Sequence, residues 1–297
     1  MNLLTVVIPV RDRANIVGRT LASIDAQSVA PAKVVLVDNG STDNTLQVLR
    51  QWADGKENVI IASELRPGAA AARNRGLAEV HTPYVYFFDS DDIMSPTMIE
   101  DISEGLKREN MPPLATFDIE HQSIDGRVNM MAYRKKGDPV INHLFHACLA
   151  TMRTVVLADE VRRAGGWNED LPAWNDLEMG IRLALRNTPV WLPMRQPGRN
   201  ISGVESITGI GFSHKAGIWE KSLDRIETDL RASRPELAPL VDYRRAILAG
   251  NYRHEGATEA AEALLATIRH RPMMMRAICR YVAAGGRGVA FIANLLR

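Results

Sequence analysis

Four short apolar runs, LLTVVIPV (3–10), KVVLVD (33–38), NVIIAS (58–63) and YVYFF (84–88), restrict most severely what this chain can fold into. They are rich in Val and Ile and mostly continuous rather than alternating, the pattern of strands buried on both faces of a parallel sheet. Helix-length segments separate them. Val17, Leu21 and Ile24 follow a candidate cap at Asn15, and Leu46, Leu49 and Trp52 follow Ser41 and Asp43, either of which can cap. Strands alternating with helices build right-handed βαβ units, and such a sheet takes its ligands beyond the carboxyl ends of its strands. The loops RDRAN, DNGSTD, ELRPGAAAARNRG and DSDD are therefore expected to converge on one cleft.

Past residue 112 the pattern loosens. PLATFDIEHQ and GRVNMMAYR read as further strands, with an antiparallel pairing in view, and DLEMGIRLALR reads as a helix with Leu177, Ile181 and Leu185 on one face. From about residue 216 the chain reads as helical, in segments 217–232, 236–249, 256–269 and 273–283, the last broken by AAGGRG. An α/β body at 1–215 with a helical C-terminal region at 216–297, packed on or beside it, follows. With 297 residues, 46% hydrophobic and 24% charged, there is enough apolar surface for a large core. The two cysteines, Cys148 and Cys279, form no Cys-x-x-Cys pair, so neither a disulfide framework nor a zinc site is expected, and a reducing, cytoplasmic compartment fits. Neither a signal peptide nor a membrane span is expected: Pro9 interrupts the first apolar run, and no window reaches ~18 apolar residues.

The net charge of +1 hides an asymmetry. Residues 263–297 carry six arginines and no acid, which leaves −5 for residues 1–262. An acidic body argues against a nucleic-acid-binding surface. The basic tail, with arginines among Met, Ile, Val, Phe and Leu, has the composition of a helix on an anionic membrane surface, and equally of a helix docked on the acidic body. Peripheral membrane contact through 272–297 is thus one of two open readings.

The tract after the fourth run, DSDD, puts Asp89, Asp91 and Asp92 into four residues. Hard divalent cations such as Mg2+ and Mn2+ favour carboxylates and share them with substrate phosphates, and a cation would relieve the repulsion. An extended backbone would turn Asp89 and Asp91 to one side. The competing reading is a solvated loop in which Asp89 or Ser90 caps a helix starting near Pro96. In VDNGSTD, turn and cap chemistry accounts for Gly40, Ser41 and Asp43 but not for Asp38, placed where a base or ribose is read. RPGAAAARNRGL offers Arg73 or Arg75 to a diphosphate, or is simply an alanine-rich helix with solvated arginines. Asn175-Asp176 precedes a helix, where a carboxylate can cap or act as a general base.

In this order, TVVIPVRDRANIVGRTLASIDAQS, VVLVDNGSTDNT, RPGAAAARNRGL, YVYFFDSDD and GGWNEDLPAWNDLEMGIRLAL resemble the family 2 glycosyltransferases, inverting enzymes of the GT-A fold, over roughly residues 3–205. The resemblance implies a Rossmann-like, mostly parallel central sheet flanked by helices, here with a C-terminal helical appendage. It also implies a nucleotide-sugar donor, a UDP-sugar favoured, and a glycan, lipid-linked or other acceptor, in bacterial surface polysaccharide or glycoconjugate synthesis. Carried over residue by residue, Asp38 accepts a hydrogen bond from the base, while Pro9, Val10 and Arg11 line its pocket. Arg73 lies near base or diphosphate. Asp89, Ser90 and Asp91 are the Asp-x-Asp motif, with Asp91 a ligand of Mn2+ or Mg2+ and Asp89 at the ribose or the metal. Asp176 is the catalytic base, and Trp174 and Asn175 face the acceptor.

Three departures stand out: PVRDR where the family often has an aromatic residue and then Asn, Asn175 where Glu is usual, and Pro197 where many members carry a histidine, for which His214 is a candidate substitute. A catalytically silent sugar-nucleotide or glycan binder is therefore a rival. A sugar nucleotidyltransferase fits less well, because RDRAN lacks a glycine-rich phosphate loop.

Overall fold

The computed structural model describes residues 3–133, 136–203, 211–268 and 271–285. Strands β1 (Leu4–Val10), β2 (Lys33–Asp38), β3 (Val59–Ser63) and β4 (Tyr84–Phe87) alternate with helices α1 (Val17–Asp25), α2 (Thr45–Ala53) and α3 (Ala69–Ala78). Then come α4 (Met98–Arg108), β5 (Leu114–Thr116), β6 (Ile119–Gln122), β7 (Val128–Met131), α5 (Pro139–His146), β8 (Thr154–Leu157), α6 (Ala158–Arg163), α7 (Asn175–Arg186), β9 (Val190–Trp191) and β10 (Arg199–Ile201). Helices α8 (Ile218–Ser233), α9 (Val241–His254), α10 (Thr258–Ala266) and α11 (Met273–Ala283) follow.

The main sheet runs β3-β2-β1-β4-β8-β5-β9. Its first four strands are parallel, with Val6 between Val34 and Tyr86, so their carboxyl ends share one edge. β8 is antiparallel to both β4 and β5, and β9 is parallel to β5. PLATFDIEHQ does not form one strand. It divides around Phe117-Asp118, β5 joining the main sheet and β6 a small sheet ordered β10-β6-β7. The break is held by Asp118, whose Oδ1 accepts from Tyr133 N (2.5 Å) and Trp191 Nε1 (3.3 Å). Nor does Asn15 cap α1, which starts after Ile16 with no side-chain cap.

Alternation sends β1 and β2 side chains to two cores. Val7, Val35 and Val37 face α3 and the helices beyond it, whereas Val6, Ile8, Val34 and Leu36 pack with Leu49, Ile99 and Ile102. The first core continues without interruption into Trp219, Leu223, Ile226 and Leu230 of α8 and Leu248 and Tyr252 of α9. α11 docks on α9 through Cys279 and Val282, which meet Tyr243 and Ala246. Arg271 fixes its start by pairing with Asp242 (2.5 Å) and Glu227 (3.1 Å). This is the docked arrangement for 273–283, whereas Arg269, Arg287 and Arg297 lie outside the described residues. Among the described residues no helix is long and apolar enough to cross a membrane.

The alanine run of α3 has a packing reason beyond helix propensity. Ala70, Ala71, Ala72, Gly76 and Leu77 are all buried, so the helix axis comes close to the sheet. A Cβ on Gly76 would stand 2.3 Å from Val7 Cγ1 and 3.1 Å from Val37 Cγ2. Gly76→Ala is accordingly expected to lower the free energy of unfolding in urea by about 1–3 kcal/mol, the usual cost of overpacking, despite alanine's better helix propensity. An unchanged or raised denaturation midpoint would contradict this packing.

Candidate active site

A cavity of about 750 Å3 opens beyond the carboxyl ends of the parallel strands. Pro9, Val10 and Arg11 line it from β1, Gly68, Ala69 and Arg73 from α3 and its approach, and Asp89, Ser90 and Asp91 from the end of β4. Trp174, Asn175 and Asp176 line it from the start of α7, so the structure brings together every predicted site residue except Asp38. Asp38 ends β2 next to the lining residue Asn39; it is only 6% exposed, and its Oδ1 is a buried acceptor with no hydrogen-bond partner.

The first two loops brace each other. Asp12 has a left-handed backbone (φ 49°), its N–H donates to Ser41 Oγ (3.1 Å) and its Oδ1 accepts from Thr42 N (2.7 Å). Asp43 accepts from Thr45 N (2.9 Å) at the start of α2 and from Ala14 N (3.1 Å). Asn39 clamps the third loop, donating to Glu64 O (2.8 Å) and Arg66 O (2.7 Å) and accepting from Gly68 N (2.8 Å). The residues of DNGSTD that first read as ordinary turn and cap chemistry thus shape the cleft floor.

DSDD is a turn, with Asp92 N bonded to Asp89 O (3.4 Å), not the extended segment the spacing suggested. Neither Asp89 nor Ser90 caps α4, which begins at Met98. α1 holds the turn from behind: Thr20 Oγ1 donates to Ser90 O (2.9 Å) and Asp92 O (2.8 Å), and Arg19 to Asp91 O (2.7 Å). The three carboxylates part company here. Asp92, fully buried, accepts from Asn200 Nδ2 (3.0 Å) and Ile201 N (2.9 Å), anchoring the turn to β10. Burial, reinforced by Asp89 and Asp91, pushes its carboxyl well above the usual range. Asp91 faces the cavity, raised by burial and by Asp89 against the pull of Arg13 and Arg19. Asp89 receives Arg73 Nη2 at 2.7 Å.

Arg73 is 5% exposed and also donates from Nη1 to Asn175 Oδ1 (2.9 Å), with its guanidinium 4.5 Å from the Trp167 ring. The alternative, Arg75, lies outside the cavity and pairs with Glu79 (2.6 Å). Asn175 is therefore held on both sides, since its Nδ2 donates to Leu171 O (3.3 Å). Asp176 stands in the first turn of α7 and accepts from Leu177 N (2.9 Å). Burial raises its pKa; Arg73 opposes the shift and Asp89 adds to it. That direction suits a group that must take a proton near neutral pH.

Several lining residues were not read as site residues in the sequence. Asn200 and Ile201 come from β10 and Ser202 follows it, whereas Pro197, just before that strand, does not line the cavity, and Lys215 lines it where His214 does not. Arg244 enters from α9.

A Rossmann-like, largely parallel sheet with carboxylates at the end of its fourth strand and at the start of a later helix defines the GT-A class of nucleotide-sugar-binding folds. The model of glycosyl transferase family 2 matches residues 5–153, half of the chain, and the chain belongs to that family. Validoxylamine A glucosyltransferase of Streptomyces hygroscopicus subsp. limoneus is 26% identical over 222 residues, 63% of this chain and 49% of that protein. Chondroitin synthase of Pasteurella multocida is 28% identical over 190 residues, 61% of this chain and 19% of that protein. The chain thus spans half or less of these relatives. Among solved structures, S. aureus TarS 1–349 in complex with UDP-GlcNAc superposes with a TM-score of 0.67 over 96% of this chain and 88% of that one, at 15% identity. The mannosyltransferase PcManGT of Pyrobaculum calidifontis, in complex with GDP-Man and Mn2+, gives 0.57 over 99% and 83%, at 18% identity. These likenesses establish the shared fold.

Beneath α7, His143 is fully buried; its Nδ1 accepts from Leu149 N (2.9 Å), so Nε2 carries the proton and donates to Leu177 O (3.0 Å). The ring occupies space that a Cβ on Gly180 would enter, 2.1 Å from Nε2. Burial pushes its pKa down to about 3. An unfolded histidine titrates near ~6.5, so between ~6.5 and that depressed value the unfolded chain takes up a proton that the native state refuses. His143 therefore costs stability as pH falls through this window, whereas the raised carboxylates act in the opposite sense. Comparing thermal midpoints of wild type and His143→Gln from pH 7 to pH 5 is expected to give the shallower acid loss in the variant. Parallel profiles would remove His143 as a source of the acid sensitivity.

Proposed function

We propose that this protein transfers a sugar from a nucleotide-sugar donor, a UDP-sugar, to an acceptor hydroxyl with inversion at the anomeric carbon. The observation that carries the reading is one cavity in which Asp91 and Asp176 converge, with Arg73 tying the motif carboxylate Asp89 to Asp176's neighbour, Asn175. The buried, unpartnered Oδ1 of Asp38 suits an N–H of the base, and Pro9, Val10 and Arg11 suit its surroundings.

A divalent cation fits the donor set. Asp91 faces the cavity with its charge disfavoured by burial and by Asp89, and among the described residues no third metal-binding side chain joins them. Mg2+ and Mn2+ are commonly held by one or two carboxylates plus substrate phosphates, so Asp91, with Asp89 beside it, would hold Mn2+ or Mg2+ against the donor diphosphate. Bound there, the cation would supply charge to stabilise the departing diphosphate.

Asp176 takes the proton of the acceptor hydroxyl as that oxygen bonds to the anomeric carbon. The bond from that carbon to the diphosphate breaks on the opposite face, and its electron pair leaves with the nucleoside diphosphate. Arg73, committed to Asp89 and Asn175, keeps the donor and acceptor walls in register. Residues 1–215 would hold this machinery and 216–297 would cover it.

In thermal-shift measurements, UDP is expected to stabilise the protein with Mn2+ and not with EDTA, more than GDP, dTDP or CDP, and Asp91→Ala to abolish the metal dependence. Asp176→Asn should keep the UDP shift while slowing release of UDP from the donor by ~100-fold or more, the contribution of a general base. No metal-dependent shift with any nucleotide would refute the proposal, and binding without turnover would make the protein a silent binder.

The outer side of α11 exposes Met273, Met274, Arg276, Arg280 and Tyr281, apolar and basic without an acid, which supports peripheral contact with an anionic membrane. Met273→Ser/Met274→Ser/Tyr281→Ser is expected to weaken co-sedimentation with phosphatidylglycerol vesicles several-fold and to leave the UDP shift intact; equal co-sedimentation removes the membrane from this reading.

A further inference from the structure

Arg244 is a charged cavity residue that the proposed transfer does not use. It comes from α9, in the C-terminal helices, and its guanidinium lies 4.9 Å from the ring of Trp174, two residues before Asp176. Its Nε is buried without a hydrogen-bond partner, and among the described residues the side chain makes no hydrogen bond or ion pair at all. Burial pushes its pKa down to about 10 even though Asp176 attracts it. A desolvated cation without a partner is costly, and a stacking contact with an aromatic ring offsets only about 0.5–2 kcal/mol. Two other arginines of the cavity differ: Arg73 is paired with Asp89, and Arg11 stands 3.6 Å from Asp12. A second cation, the exposed Lys215, lines the same cavity.

This wall has an aromatic base. Trp174, Phe212 and Trp219 form a cluster with ring centroids 5.0–6.0 Å apart, and Trp219 Nε1 donates to Phe212 O (2.9 Å). Ser222 of α8 donates to Ala173 O (2.5 Å), pinning the loop that carries Trp174. Rings flanked by guanidinium and ammonium groups suit a sugar bearing a phosphate or a carboxylate.

We infer that Arg244, with Lys215, forms an anion-binding acceptor subsite, and that the natural acceptor is a saccharide carrying a phosphate or uronate-type carboxylate close to the hydroxyl that is glycosylated. The inference rests on Asp176 being the base of the proposed function. In-line displacement puts the departing diphosphate on the face of the anomeric carbon opposite Asp176, so a cation beside Asp176 meets the acceptor and not the donor phosphates.

The test is calorimetric titration of the full chain, saturated with UDP and Mn2+, with glucose 6-phosphate, methyl β-glucuronide and the neutral methyl β-glucoside. Wild type is expected to bind at least one anionic sugar about ten-fold or more tightly than the neutral one, and the tighter of the two identifies phosphate or carboxylate as the acceptor's group. Arg244→Met should erase that preference while keeping UDP affinity within about two-fold, Arg244→Lys should restore part of it, and Lys215→Ala, at an exposed site, should weaken it several-fold. Charge-independent binding, no binding of any of the three sugars at tens of millimolar, or a fall in UDP affinity that parallels the Arg244 change would overturn the inference. A failure of UDP to bind with Mn2+ would instead refute the donor-site reading on which it rests. If Arg244→Met unfolds, the Lys215→Ala result and the wild-type preference still decide.

Discussion

The architecture of the cleft depends on one buried guanidinium. Arg73 reaches from α3 to Asp89 at the end of β4 and to Asn175 at the start of α7, and it stacks on Trp167. Trp167 in turn sits edge-on to Phe87 of β4 (5.0 Å). Three elements that are distant in sequence therefore share one charge. Burial, with repulsion from Asp89 added to it, raises the carboxyls of Asp91, Asp92 and Asp176. Without a fixed cation the fold would have to hold these acids together against their own field. Arg73 is itself buried, so losing either of these partners would leave part of its charge uncompensated, which ties the strand end to the helix start.

Asn175 alters that balance in a way residue identity alone does not reveal. A Glu here would give Arg73 a second anionic partner and place another charge beside Asp176. The amide instead accepts from Arg73 and donates to Leu171 O, two bonds that one carboxylate could not both make. The start of α7 is fixed by a neutral hydrogen-bonding group, and Arg73 keeps more of its charge for whatever enters the cavity. The departure from the family pattern thus leaves one charge fewer beside Asp176, with the start of α7 still hydrogen-bonded to Arg73.

How much of this was readable before folding follows from the range of the interactions. Apolar continuity exposed the four parallel strands, and the chain order of helices and strands put their loops at one edge; Asp89, Asp91 and Asp176 stood out as candidates because they sit at element ends, and Arg73 because it belongs to the RPGAAAARNRGL motif. The turn at DSDD was not legible, because Thr20 and Arg19 of α1 and Asn200 and Ile201 of β10 shape it from 70 to 109 residues away. The division of PLATFDIEHQ between two sheets depends likewise on Trp191, 73 residues distant. Lys215, Asn200 and Arg244 belong to no local pattern, and only the packing of β10 and of the C-terminal helices delivers them to the cavity.

Adjacent arginines of α9 show how that packing assigns roles. Arg245 is buried in a network with Asp224 (2.7 Å), Glu227 (2.6 Å) and Asp242 (2.7 Å), and Arg271 joins Glu227 and Asp242 at the foot of α11. Its charge is spent on holding α8, α9 and α11 together. Arg244, one residue earlier and so rotated by about 100° around the helix, forms no ion pair with those acids and lines the cavity with its guanidinium against Trp174. Because the two share one helical backbone, the ionic network that fixes Arg245 also fixes the height and orientation of Arg244 above Asp176. The helical region is thereby coupled to the cleft: what docks it on the body also brings Arg244, whose Nε is buried without a hydrogen-bond partner, to the cavity wall beside Trp174.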